Sequence, residues 1–129
     1  MTYCVGMVLD EGLIFASDSR TNAGVDHVAT FRKMNVIAVP GERQIVLLNA
    51  GNLATTQSVV SLLKSRLGHD TPNLHNVASL YEAAELVGNT IREVLARDGN
   101  GSTQGQGVDF SCSFLVGGQI RGEPPRLFQ

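Results

Sequence analysis

Thr2 follows the initiator methionine directly and opens an alternating run, Thr2 to Asp10. A side chain this small lets Met1 be trimmed. The mature chain then begins with a residue that carries both a hydroxyl and a free α-amine. Such an amine titrates near ~7.7–8.0 in unperturbed peptides, so at neutral pH a useful fraction can act as base for the neighbouring hydroxyl. Three further places could support that chemistry. Asp18 and Arg20 lie in Ala16-Ser17-Asp18-Ser19-Arg20, just after a second apolar run; Lys33 sits in Phe31-Arg32-Lys33-Met34; Gly51 follows Leu47-Leu48-Asn49-Ala50. A lysine ammonium beside the hydroxyl favours a developing alkoxide and disfavours a protonated terminal amine. A carboxylate such as Asp18 keeps that lysine charged in a cleft. A backbone N–H at Gly51 can stabilise an oxyanion without reorganising. Taken singly, Asp18 also reads as a turn residue, Lys33 as a solvated charge and Gly51 as a turn glycine.

These residues need a scaffold, and the chain has the composition for one. It is 129 residues long, 43% hydrophobic and 17% charged, with a formal net charge of -2. That fits one soluble domain over 1–129 with a real core. The mild acidity gives no electrostatic basis for nucleic acid or membrane surfaces as partners. No window approaches a membrane span, and the N-terminal apolar stretch, broken by Asp10 and Glu11, does not read as a signal peptide. Cys4 and Cys112 read as buried thiols in a reducing cytoplasm, where the chain is placed. His27, His69 and His75 lie in or near loops without metal-ligand spacing, so no metal is expected.

The first half reads as strands. Thr2 to Leu9 and Leu13 to Ser17 form a hairpin around Asp10-Glu11-Gly12. Thr21 to Gly24 reads as loop. Met34 to Val39 and Gln44 to Asn49 are strands joined at Pro40-Gly41-Glu42. The period then becomes helical. One helix is expected near Asn52 to Leu67, a second from an Asn76 cap to Arg97, with Gly99 as its stop. Both should pack on one sheet and bury Val60, Leu63, Leu80, Val87, Ile91 and Val94. Asp98 to Gly107 reads as a flexible connection. Val108 to Val116 is a strand that Gly117-Gly118 should break, and Arg126 to Gln129 begins another. The order of strands, helices and strands indicates an α+β domain. A chain that stops on entering a strand reads as truncated at its C-terminus.

The N-terminal run, Ser17 to Asp26 (Ser-Asp-Ser-Arg-Thr-Asn-Ala-Gly-Val-Asp), Arg32-Lys33-Met34, Asn49 to Gln57 and Phe114 to Gly118 occur in the order and approximate spacing of a proteasome β-type subunit. The chain most resembles the bacterial ancestral β-subunit group, Anbu, within the N-terminal-nucleophile hydrolases. The count between Arg20 and Lys33 is one residue shorter than in the family pattern. The resemblance implies a four-layer αββα sandwich, of which this chain carries the N-terminal half to two-thirds, with one sheet face left uncovered. It implies that Thr2 is the nucleophile and its amine the base, that Lys33 assists, that Asp18 pairs with Lys33, and that Gly51 supplies the oxyanion N–H. Arg20, Asn22 and Asn49 are assigned by it to the substrate cleft. The implied activity is cofactor-free hydrolysis of peptide bonds through an acyl ester on Thr2, on peptides or unfolded proteins, in a homo-oligomeric ring or helical assembly with an unfoldase as a partner to be identified. A non-catalytic ring-forming scaffold and a small-molecule amidase of the same class remain open alternatives. Further site residues are expected beyond Gln129.

Overall fold

A computed structural model describes residues 2–22, 28–30, 32–99 and 109–129, with backbone alone at 20–22, 28–30, 98 and 99. The elements are β1 (Cys4–Leu9), β2 (Gly12–Ser17), β3 (Arg20–Asn22), β4 (Val28–Thr30), β5 (Met34–Val39), β6 (Arg43–Gly51), α1 (Leu53–Ser65), α2 (Leu80–Gly99), β7 (Cys112–Ile120) and β8 (Arg126–Phe128). Strands β5-β6-β7-β8 form one antiparallel sheet in that order; β1 pairs with β2, and β3 with β4.

Alternation along β5 and β6 decides what each face carries, because successive side chains point to opposite sides. Ile37, Ile45 and Leu47 pair across the ladder with the face of Val116 and Ile120 and are buried under α1 and α2. Val59 and Leu63 come from α1, and Leu80, Ala83, Val87 and Val94 from α2. Both helices therefore cover one face of one sheet, as the period predicts. Phe128 of β8 adds an edge contact to Tyr81, with ring centroids 6.2 Å apart.

The opposite face meets the β1–β2 hairpin. Here Gly117 and Gly118 do not break β7; the strand runs through them to Ile120. A Cβ on Gly117 would lie 2.5 Å from the Phe15 ring of β2, and one on Gly118 would lie 2.0 Å from the carbonyl oxygen of Gln44 on β6. The pair is a place of close approach, not a stop, a reading that glycine in a strand also permits. The outer face of the hairpin exposes Tyr3, Met7, Leu9 and Ile14. The layers described are thus helices, sheet and second sheet, a mixed α+β arrangement.

Two other expectations change. Thr21 and Asn22 belong to a strand paired with Val28–Thr30, while Ala23 to His27 lie outside the described residues. Helix α2 begins at Leu80, not after Asn76. Asn76 instead closes a turn by accepting from the Asn73 N–H at 2.8 Å. The cap belongs to Ser79, whose hydroxyl accepts from the Glu82 N–H at 3.1 Å, while the Glu82 carboxylate accepts from the Ala78 N–H at 2.8 Å. Ser-Leu-Tyr-Glu is a capping-box spacing. No described helix is long and apolar enough to cross a membrane. The flexible connection expected over Asp98 to Gly107 lies largely outside the described residues.

Candidate active site

The helix-covered face of β5 and β6 changes character along its length. Ile37 and Ile45 occupy its dry end. Two residues further along β5 stands Asn35, then Lys33; along β6, Leu47 gives way to Asn49. Lys33, Asn35 and Asn49 are 6%, 7% and 7% exposed, as buried as many core residues. Buried polar groups of this kind must be paired. The Asn49 N–H donates to the Lys33 carbonyl at 2.9 Å, which extends the β5–β6 ladder past Met34.

The Lys33 ammonium donates to Asp18 Oδ2 at 2.7 Å. The other carboxylate oxygen, Oδ1, accepts from the Tyr3 N–H at 2.6 Å, and the Asp18 N–H returns a bond to the Tyr3 carbonyl at 3.0 Å. One carboxylate thus joins the start of β1 to the start of β5. This geometry follows from local structure: the β1–β2 register pairs Cys4 with Ser17, so Asp18 continues the ladder opposite Tyr3. Tyr3 itself turns outward and is 72% exposed. Thr2, half-buried, lines the same cleft as Lys33, Asn49 and Gly51.

Gly51 ends β6 with φ 109°, a conformation that favours glycine. A Cβ there would stand 2.6 Å from the Ser111 carbonyl oxygen and 2.8 Å from the Cys112 Cα. The glycine is therefore required by the neighbouring strand β7, irrespective of anything that enters the cleft. Asn52 follows and anchors α1: its side chain accepts from the Thr55 N–H at 3.0 Å and its amide donates to the Asp109 carbonyl at 3.1 Å. Arg20 and Asn22 lie on β3; their cleft role concerns side chains outside the described set.

The cleft holds about 360 Å³. Its second wall is a face of α1 made by Leu53, Thr56, Gln57, Val60, Ser61 and Lys64. Sequence reasoning missed this wall. The helical spacing assigns Val60 to the core, whereas the helix buries Thr55, Thr56, Val59 and Leu63 and leaves Val60 half-buried beside the cleft. Ile91 on α2 is half-buried as well. The missed signal was the polar series Gln57, Ser61 and Lys64 at spacings of four and three on the face that also carries Val60.

Close to the carboxylate, the Cys4 thiol donates to the Asn49 carbonyl at 3.6 Å. Burial pushes this thiol above its ordinary range; the Asp18 charge adds to the shift and the Lys33 charge opposes it. Burial also raises Cys112. Both cysteines are free. Held as thiols, they make poor nucleophiles. Among the described residues, no three His, Cys, Asp or Glu side chains gather to hold a metal.

No family model and no curated protein matches the chain. Solved structures do. The chain is similar to the Anbu complex of Pseudomonas aeruginosa, described as a helical assembly, with 57% identity and TM-score 0.91 over 98% of this chain and 52% of that one. It is similar to Anbu (ancestral β-subunit) from Yersinia bercovieri, with 57% identity and TM-score 0.87 over 99% of this chain and 51% of that one. Anbu from Hyphomicrobium sp. strain MC1 gives 45% identity and TM-score 0.82 over 99% of this chain and 52% of that one. The chain spans about half the length of these relatives.

Proposed function

The chain belongs to the Anbu group of ancestral β-subunits, and from that premise we propose that it supplies the nucleophile of a threonine-type peptidase. The observation that carries the reading is the Asp18 carboxylate, which ties the residue after Thr2 to the Lys33 ammonium at 2.6 and 2.7 Å beside a cleft that Thr2 lines.

In the proposed mechanism Met1 is removed, which converts the Thr2 amide nitrogen into a basic amine. The amine takes the hydroxyl proton, and Oγ1 attacks the carbonyl carbon of a peptide bond. Lys33 sets a positive charge by the developing alkoxide, and Asp18 neutralises that buried ammonium in the resting state. The Gly51 N–H serves the oxyanion; a donor of this kind is worth ~10²–10³ in rate in other enzymes. Collapse expels the leaving amine, which takes the proton from the terminal ammonium, and leaves an ester on Thr2. Water, deprotonated by the same amine, hydrolyses the ester. Asn49, with Arg20 and Asn22, borders the path of the peptide.

We assign to the same reading a homo-oligomeric assembly that confines the sites. The helical assembly of the Pseudomonas aeruginosa relative supports it.

The test uses the full-length protein with Met1 removal verified by intact mass. Thr2→Ala is expected to bring peptide hydrolysis to background while assembly, read by light scattering, is retained. Hydrolysis surviving in Thr2→Ala at the wild-type rate would place the nucleophile elsewhere.

A further inference from the structure

The cleft carries Arg32, Lys33 and Lys64, and among the described residues no Asp or Glu lines it. Asp18 matches the charge of Lys33. At the other end, Lys64 Nζ donates to Asn35 Oδ1 at 3.3 Å, a neutral partner on the floor of the cleft. We propose that Lys64 and Asn35 form the subsite for an acidic side chain, so that the preferred substrates are peptides with glutamate on the acyl side of the cleaved bond. This inference rests on the peptidase reading above and narrows it to a substrate class.

The placement follows from backbone directions. Helical side chains tilt toward the N-terminus, so Lys64 arches back over the turn that carries Val60 and Ser61. It ends above Asn35, two residues along β5 from Lys33 and on the same face. That separation is about 6.5 Å along a strand. A peptide carbonyl held beside Lys33 and Gly51 points its own side chain along this track. In this placement a glutamate carboxylate pairs with the Lys64 ammonium, where Gln57 and Ser61 add neutral hydrogen-bonding groups at the wall. A carboxylate is a stronger partner for an ammonium than the amide oxygen it displaces. A substrate lysine would face Lys64 at close range, and a leucine would leave Asn35 and Gln57 dry against an apolar surface. Lys64 also stands in the last turn of α1, where a cation suits the helix dipole. The dipole does not require the reach across the cleft to a buried amide on β5.

The experiment uses the full-length assembled protein with a verified free Thr2 and peptides amidated at the C-terminus, so that the only carboxylate is the side chain. Matched peptides with Glu, Gln, Leu or Lys before the cleaved bond are compared by kcat/KM. Glu is expected to exceed Gln by about ten-fold, with Lys poorest. Lys64→Met should erase the Glu-to-Gln ratio, and Lys64→Glu should invert the order of Glu and Lys. In parallel, binding of the Glu and Gln peptides to Thr2→Ala is read by fluorescence anisotropy at low and high salt, and Glu should bind tighter at low salt. Hydrolysis with a Glu-to-Gln ratio near one, or a ratio indifferent to Lys64→Met, overturns the subsite and leaves the peptidase reading standing. Tighter Glu binding without hydrolysis of any peptide overturns the peptidase and keeps the subsite. Neither hydrolysis nor preference removes both.

Discussion

Lys33 and Arg43 are buried cations on the same pleated face, Lys33 at the start of β5 and Arg43 at the start of β6, and each has a carboxylate partner. Their surroundings differ. Arg43 forks onto Glu42 and sends Nη1 to the carbonyls of Leu74 at 3.2 Å and Val77 at 2.8 Å. Its donors are committed to the loop between the helices. Lys33 pairs with Asp18 and lines an open cleft next to Thr2. Burial and pairing therefore do not by themselves mark a reactive group; structural ion pairs share both properties. What separates the two is access, together with a neighbour that could use the charge.

Substitution by methionine, which keeps the stem and removes the charge, should pull the two sites apart. Lys33→Met is expected to lower peptide hydrolysis by at least ~10²-fold with only a modest drop in thermal midpoint, since breaking an ion pair is most costly when the charge left behind is fully buried. Asp18 is partly solvated and still accepts from Tyr3 N–H. Arg43→Met should do the opposite. It strips charged donors from two loop carbonyls and is expected to cost about 1.5–3 kcal/mol in a denaturant titration, with hydrolysis per folded molecule retained. Equal losses of activity in both variants would erase the distinction.

A smaller effect sharpens the structural side. The loop that Arg43 holds ends at the Ser79 cap, so Ser79→Ala should destabilise by about 1 kcal/mol, measured by the same titration, and leave hydrolysis intact. The smallest effect is a pH dependence. The hydrogen bond from Arg43 holds the Glu42 carboxyl below its ordinary range. A carboxyl lowered in the folded state contributes stability above its unfolded pKa, ~4.3, and loses it as pH falls through the lower folded value. The gap in thermal midpoint between wild type and Glu42→Gln should therefore be present at pH 7 and begin to shrink as pH falls below about 4. A gap that stays constant as the pH is lowered further would contradict the assignment.

Much of this was legible in the sequence because single periods carried it. The hairpin over Cys4–Leu9 and Gly12–Ser17, the β5–β6 pair and both helices follow from alternation or from helical spacing. The Asp18–Lys33 pair was legible only through the resemblance, since nothing in the spacing of residues 18 and 33 brings them together; the hairpin register and the β5 start do. Three features were obscured by residues with two physical meanings. Gly117-Gly118 reads as a breaker when backbone freedom is considered and as a contact point when Phe15 and Gln44 are in place. Asn76 and Ser79 both suit a cap, and the choice depends on Glu82, three residues after Ser79. Val60 suits a core and a cleft wall equally; its neighbours Gln57, Ser61 and Lys64 decide.

The doubly used carboxylate of Asp18 has a kinetic side as well. Chain termini ordinarily fray, and a residue fixed in one backbone well gives up about 1–2 kcal/mol of conformational freedom. Here Tyr3 is clamped through both its N–H and its carbonyl by the same residue. Ordering of the stem is completed when the hairpin closes, through contacts that do not involve Met1. Removal of Met1 then changes the chemistry of one nitrogen without loosening the segment beneath it. In the proposed peptidase, maturation is thus a switch in composition at a rigid post, and activity should appear at the rate of methionine removal, with no lag for refolding.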